Sequence, residues 1–485
     1  MKTKEDQPRL NESLPGNPRY QPEDLKEIYG YDNLYKPWGW IELAKLKVMN
    51  ELGMIPQEAW KTLTIAQKLQ ILNIRTTATD LVERKITKHD VNAHVRLMKE
   101  ILDPSLAKFV HMPLTSYDKI DTGRVIQFRQ AYDIVATKSE DLITRLADLT
   151  KNFSSQLQIG RTHGQHALPI TVGFWFATLL QRVTFNYLQM KRFAAGLHGK
   201  ISGAVGAYNA QVALGFDRPN DSETFEEKVL GELGLKPALI STQILAPEEI
   251  TYFLFCCTMM SASLGQLGRD GRNLMRTEIG ELAEGFAAGQ VGSSTMAHKR
   301  NPINFENTEG MWWRTKNEFG KVLDSQISDH QRDLVGSSLM RDFPIILVNL
   351  VYQLNTLLRI NKDDESKTPF IQKITFNKER LERNFSQSSS LIMAEPIYIS
   401  LQLAGYEEDA HYLVNHILTP IIEKSGRSLA YALEKYAEKD SKLAMAVQAI
   451  PTEIMNLLHS PRKYTGKASE KANQVADWAM QQIAH

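Results

Sequence analysis

The stretch GRVIQFRQAYDIVATKSEDLITRLADLT, residues 123–150, decides the fold class. Its apolar residues Val125, Phe128, Tyr132, Val135, Leu142, Leu146 and Leu149 are separated by three, four or seven positions. At about 3.6 residues per turn they form one stripe along a helix. Proline would break such a helix, and none occurs between Pro113 and Pro169. Two later proline-free stretches behave in the same way. Phe176, Leu180, Val183, Tyr187 and Met190 form one stripe; Ile250, Leu254, Cys257, Leu264 and Leu267 form another. No run of alternating strands with turn signals accompanies them. The expected class is therefore all-α, with a central bundle of long helices. Apolar residues also lie off the main stripes, at Phe174–Phe176 and Tyr252–Cys257. A helix that is apolar on more than one side needs neighbours on more than one side, which predicts that the bundle continues into other subunits.

The chain has 485 residues, enough for three domains of roughly 150 residues each. Hydrophobic residues make up 42% and charged residues 23%, a mixture that can bury a large core. Lys plus Arg (57) against Asp plus Glu (56) leaves a net charge of +1. Such a chain has no long-range field to collect nucleic acid or an anionic membrane, so anion recognition has to be local. Cys256 and Cys257 are adjacent and can form neither a disulfide framework nor a zinc site, which suits a reducing compartment. Met1 to Gln21 is polar and lacks the apolar core of a secretion signal. The greasiest stretch, Ala167 to Leu180, is too short and broken to cross a bilayer. The expected location is cytoplasmic. A break is expected after Asp118, ahead of a helix starting near Gly123, and a charged linker at residues 361–369 marks a second. These divide the chain into an N-terminal helical domain (1–122), the long-helix domain (123–368) and a C-terminal helical domain (369–485).

Several chemistries are excluded by motif. Gly196 to Ser202 lacks the spacing of a nucleotide phosphate loop, and no dinucleotide fingerprint opens a helix. No HExxH or CxxC occurs, and no carboxylate or cysteine joins His163 and His166 in a metal site. Gly292 to Met296 lacks the second glycine of a nucleophile elbow. A chemistry without metal or cofactor is expected.

The block GQVGSSTMAHKRNPINFE, residues 289–306, has the character of an anion-handling loop. A glycine-flanked Ser-Ser can turn its backbone N–H groups toward an anion, and Lys299 and Arg300 add positive charge nearby. Pro302 ends the irregular stretch, so Glu306 falls in the first turns of the next helix. The block resembles the GSSxMPxKxNP signature loop of the aspartase/fumarase superfamily, in the GSSxMPHKRNP form of the branch that acts on adenylosuccinate. Members of the superfamily are all-α homotetramers with a shared helix bundle and active sites assembled from three subunits. They eliminate fumarate by breaking a C–N or C–O bond.

Other segments carry the same resemblance. Residues 160–165, GRTHGQ, are similar to the family's RTHGQ segment, whose histidine, here His163, is the general acid. Residues 111–118, HMPLTSYD, are similar to HxGxTSxD, which implies that Thr115 and Ser116 hold a substrate carboxylate. His89-Asp90-Val91 matches an HDV segment near the substrate, although Thr87 and Asp90 also have the spacing of a capping box. Arg332, Ser337 and Arg341 fit RDxxxSSxxR, which grips the nucleotide phosphate; arginine forks and a hydroxyl suit a dianion. Arg19-Tyr20 and Gln243 of Ser241-Thr242-Gln243 resemble further nucleotide contacts.

The resemblance implies Ser294 as general base and His163 as general acid, with Glu306 beside His163 to favour its imidazolium. Thr115, Ser116, Thr162, Lys299 and Asn301 would bind the succinyl carboxylates, and Lys299 would also help stabilise the Ser294 alkoxide. The implied reaction is β-elimination of fumarate from adenylosuccinate, giving AMP, and from its imidazole-carboxamide counterpart SAICAR, giving AICAR, without cofactor or metal. Ala297, Pro113 and His166 depart from the family pattern. The rivals are argininosuccinate lyase or a carboxymuconate-cyclising relative, against which the phosphate segment argues, and a nucleotide-binding homologue without turnover. Intact Ser294, His163, Lys299 and Glu306 argue against the last.

Overall fold

A computed structural model describes residues 18–218, 220–285, 299–361 and 365–484. In chain order the elements that matter here begin with helices α1 (Lys36–Glu51), α2 (Asp90–Ile101) and α3 (Ser116–Asn152). Strands β1 (Leu157–Thr162) and β2 (Gln165–Thr171) follow, then α4 (Val172–Ala195), α5 (Glu248–Leu274) and the short strand β3 (Leu282–Ala283). Next come α6 (Ile303–Asp324), α7 (Ser337–Asp342), α8 (Ile345–Leu358), β4 (Thr375–Phe376) and α9 (Lys378–Ser388), with shorter helices beyond.

The stripe that set the fold class is the inner face of the 37-residue α3. Val125, Phe128, Val135, Leu142, Leu146 and Leu149 are all buried, and fully buried Ser139 fills the gap between Val135 and Leu142. The stripes on α4 and α5 are buried as well. Helix α5 is long and apolar enough to cross a membrane, but 67% of its most apolar window is buried inside the protein. Ala167 to Leu180 is not one element; it straddles β2 and α4.

Helix α3 starts at Ser116, seven residues ahead of the expected Gly123. The reason is Asp118, expected in a loop and found instead in the first turn. Its Oδ2 accepts from the Thr115 amide at 2.8 Å, and its Oδ1 takes Lys200 Nζ at 2.5 Å and the Ser202 amide at 3.2 Å. Gly123 does not mark a break. The Trp38 indole lies 3.1 Å from where a Cβ would stand, so glycine is needed for close packing.

Contacts gather the described residues into two units, and the division falls inside α3, α4, α5, α6 and α8. One unit holds the described parts of Met1–Ser139, Phe185–Gly265 and Thr308–Thr356; the other holds Glu140–Thr184, Gln266–Asn307 and Leu357–His485. The first contains a fully buried cluster of ionisable groups: Glu42, Lys45, Lys119 and His94. Glu42 accepts from Lys45 at 3.0 Å and Lys119 at 3.2 Å, and from the His111 amide at 3.0 Å. On the surface of the same unit, Phe185, Tyr252, Phe255, Met259 and Trp313 of α4, α5 and α6 are exposed.

The second unit holds the one sizeable exception to the helical expectation among the described residues. Strands β1 and β2 pair antiparallel, with Leu157 opposite Thr171 and Thr162 opposite Gln165. The two residues between them, His163 and Gly164, have φ of 54° and 77°. Two positive-φ residues make the turn whose twist matches a tight hairpin, and glycine takes the second position without strain. Ile159 of β1 joins a core with Phe385, Ile397, Leu401, Leu413 and Leu433.

Candidate active site

A cavity of about 530 Å³ in the first unit is lined by His89, Asp90, Ser116, Arg332, Ser337 and Arg341, six residues that sequence motifs singled out separately. The start of α2 supplies the first two, the start of α3 the third, and the loop into α7 together with α7 the rest. His89, not Thr87, is the N-cap of α2: its Nδ1 accepts from the Asn92 amide at 3.4 Å, while the Thr87 hydroxyl donates to the His89 carbonyl at 2.8 Å. The alternative Thr87 capping box is therefore absent, because Thr87 sits before a left-handed Lys88. His89 Nε2 lies 3.4 Å from Ser116 Oγ and so joins two of the motifs. Asp90 Oδ2 pairs with Arg341 at 3.2 Å.

Arg332 is held differently. Its guanidinium lies 3.6 Å from the centre of the Tyr117 ring, and NH1 donates to Gln243 Oε1 at 3.0 Å. Gln243 thus meets the cavity through Arg332. Asp333 is spent on the loop backbone, accepting from the amides of Asp329 (2.7 Å) and Val335 (2.6 Å), which hold its carboxyl below the ordinary range. Arg124, also in the lining, pairs with Asp121 at 3.1 Å.

The aromatic part of the lining was not legible in the motifs. Tyr35 stacks on Trp38 at 3.9 Å, and the edge of Trp38 meets His94 at 5.6 Å. Burial and the Lys119 ammonium hold the His94 imidazole well below its usual range, so it is neutral. Tyr31 donates to Asp80 at 2.5 Å, and that hydrogen bond pushes its hydroxyl up to about 12. Thr115 adjoins Ser116, its amide taken by Asp118. Tyr20 does not line the cavity. It packs edge-on against Tyr352 at 5.2 Å with Arg314 over its ring, and Arg19 beside it is exposed.

The second unit carries the other group of expected residues. His163 stands exposed at the hairpin tip, with Thr162 beside it at the end of β1. Arg161 anchors the hairpin: NH2 and NH1 donate to fully buried Glu281 at 2.5 and 3.2 Å. Gln158 and Asn384 donate to the same carboxylate at 2.9 and 2.8 Å. His166, a departure from the family pattern, lies 2.9 Å from Ser388 Oγ on α9; burial and Arg161 lower its pKa. Glu306 is exposed in the first turn of α6, and no hydrogen bond or ion pair joins it to His163 among the described residues. Lys299 is exposed and Asn301 half-buried just before that helix. Glu284 caps α6, accepting from the Asn304 and Phe305 amides at 3.0 Å each. Ser294 and Ala297 lie outside the described residues. No group of three or more His, Cys, Asp or Glu among the described residues is placed to hold a metal ion.

A protein-family model described as a lyase matches residues 43–315. Among solved structures, the chain is similar to a fumarate lyase from Mesorhizobium sp. BNC1, with a TM-score of 0.77 and 21% identity over 94% of this chain and 98% of that one. It is also similar to a 3-carboxy-cis,cis-muconate lactonizing enzyme from Pseudomonas putida, with a TM-score of 0.78 and 21% identity over 96% and 98%. These likenesses define a lyase fold of the fumarase type. An adenylosuccinate lyase of Archaeoglobus fulgidus is 31% identical over 95% of this chain and 97% of its own length. One of Pyrococcus abyssi is 30% identical over 95% and 96%. The chain belongs to the adenylosuccinate lyase family, within the aspartase/fumarase superfamily.

Proposed function

We propose that this chain is an adenylosuccinate lyase. It breaks the C–N bond between the succinyl group and the purine, releasing fumarate and AMP, and acts in the same way on SAICAR. The observation that carries the reading is the convergence of His89, Asp90, Ser116, Arg332, Ser337 and Arg341 on one cavity. Two arginines and a helix-start serine suit a phosphate dianion, and the aromatic Tyr35–Trp38 pair beside them suits a flat base.

In the reaction a weakly acidic proton leaves the carbon next to a carboxylate while the purine nitrogen is protonated. Ser294 takes the first proton, made basic by loop N–H groups and by Lys299. His163 supplies the second. Its exposed place on a hairpin tip supports a role toward a partner surface, with Glu306 meeting it across such a surface, since no hydrogen bond or ion pair joins them among the described residues. Thr115, Ser116, Thr162, Lys299 and Asn301 bind the succinyl carboxylates; Arg332, Ser337 and Arg341 bind the phosphate, helped by Arg19 and Tyr20. The protein acts in the cytoplasm as a homotetramer that shares its active sites between subunits; exposed Phe185, Tyr252, Phe255, Met259 and Trp313 support an oligomer that covers these faces.

Incubation of the purified protein with adenylosuccinate, followed by fumarate absorbance, tests the activity; absence of turnover rejects it, and turnover of argininosuccinate instead favours the rival. Ser294→Ala and His163→Gln should each lower kcat roughly 10²-fold or more, the usual contribution of a positioned base or acid. Near-normal turnover in either variant removes that residue from its role. Arg341→Met should mainly raise KM for phosphorylated substrate and leave the 5′-dephosphorylated analogue unaffected.

A further inference from the structure

The cations lining the first-unit cavity are not equivalent. Arg124 is matched by Asp121 and Arg341 by Asp90, while the Nζ of Lys88, also in the lining, donates to the Arg84 carbonyl. Arg332 makes no ion pair among the described residues: neighbouring Asp333 holds the loop backbone, and Asp121, already paired with Arg124, acts on it only at longer range. Its donors are also divided. NH1 is used by Gln243, the flat face rests on Tyr117 at 3.6 Å, and buried Nε has no partner. NH2 donates no hydrogen bond among the described residues either. Nε is buried, so NH2 is the donor left to meet an anion in the cavity, with the flat face fixing its direction.

Resting on the phosphate reading of this cavity, we propose that Tyr117 is a positioning residue for substrate recognition: its ring holds the Arg332 fork flat and aimed, so that Arg332, more than Arg341, selects for the 5′-phosphate. Tyr117 is nearly buried, on the first turn of α3 between Ser116 and Asp118, and Asp118 is pinned by Lys200. The platform is therefore as rigid as the start of the helix. A guanidinium fixed in this way loses little freedom on binding, whereas a lysine in its place would keep the charge but lose the flat face that rests on Tyr117.

The test compares KM and kcat for adenylosuccinate and its 5′-dephosphorylated analogue in the full-length protein. Tyr117→Leu should raise KM for adenylosuccinate about tenfold, with kcat within twofold and the analogue unaffected. Tyr117→Phe keeps the ring and should stay within threefold of the parent. Arg332→Lys changes a half-buried residue, tolerates folding better, and should reproduce the Tyr117→Leu effect. Equal losses on both substrates would assign the fork to a succinyl carboxylate and overturn the proposal, as would a parent-like KM in Arg332→Lys or a Tyr117→Phe variant as impaired as Tyr117→Leu. If Arg332→Met and the parent both treat the two substrates alike, the phosphate reading itself fails. If Arg332→Met loses the discrimination while Tyr117→Leu keeps it, only the platform is wrong.

Discussion

Replacing Glu281 by glutamine should loosen the hairpin that carries His163 while leaving the first unit untouched. Glu281 is fully buried, and each of its oxygens accepts two hydrogen bonds. Oε1 takes Arg161 NH2 and Asn384; Oε2 takes Arg161 NH1 and Gln158. A glutamine amide has one oxygen and one NH2, so either orientation turns an N–H donor toward two other donors. Arg161, whose side chain is 14% exposed, also loses its countercharge. Breaking a buried pair in this way costs about 3–5 kcal/mol, a large part of the roughly 5–15 kcal/mol that stabilises a typical domain.

Because the loss is local, hydrogen exchange reads it better than a global melt. At about 1.4 kcal/mol per tenfold, amides in a peptide covering residues 157–171 should exchange on the order of 10²-fold faster or more, while a peptide over residues 90–101 keeps its parent rate. Turnover should fall with the hairpin, since His163 is at its tip. Exchange in 157–171 within threefold of the parent would refute the reasoning. So would an equal acceleration in both peptides.

Two further predictions concern buried ionisable groups of the first unit. His94 is neutral in the folded protein, its pKa held well below the usual 6.5 chiefly by burial. The unfolded chain binds that proton below pH 6.5 and the folded one does not, so stability is full above 6.5 and falls by at most about 1.4 kcal/mol per pH unit below it. His94→Gln should therefore lose less stability than the parent between pH 7 and 5.5 in urea titrations; identical losses would remove His94 from the account. Asp118→Asn leaves fully buried Lys200 unpaired and should destabilise by about 3–5 kcal/mol. A double variant with Lys200→Met should recover part of that, and simple additivity in the cycle would mean the pair is not coupled.

The long helices were legible because their signal is one-dimensional: a stripe at three-and-four spacing between distant prolines says where a helix runs before any partner is known. Phe128, Leu146 and Leu180 are buried for that reason. Residues 157–171 are too short for such a stripe and make their hairpin by closing on themselves through His163 and Gly164. Helix α3 began early because Asp118 finds its partner Lys200 far along the chain. The site divides along the same line. His89, Ser116 and Arg341 belong to motifs and were found; Tyr117 and Glu281 act only through what folding brings beside them, Arg332 in one case and Arg161 in the other.

A chain with a net charge of +1 cannot draw a nucleotide by its overall field, so selectivity has to come from charges whose compensation is arranged one by one. The cavity is built in that way. Arg124 and Arg341 carry their own carboxylates, which limits the attraction for stray anions. Arg332 is in contact with an aromatic face and an amide oxygen, partners that fix its geometry without forming an ion pair. Adding a second unmatched arginine would strengthen anion binding in general, whereas one rigid fork favours the anion whose oxygens fit it. Discrimination here thus follows from how firmly Arg332 is held, since the other cation without an ion pair in the lining, Lys88, is a flexible side chain turned to the Arg84 carbonyl.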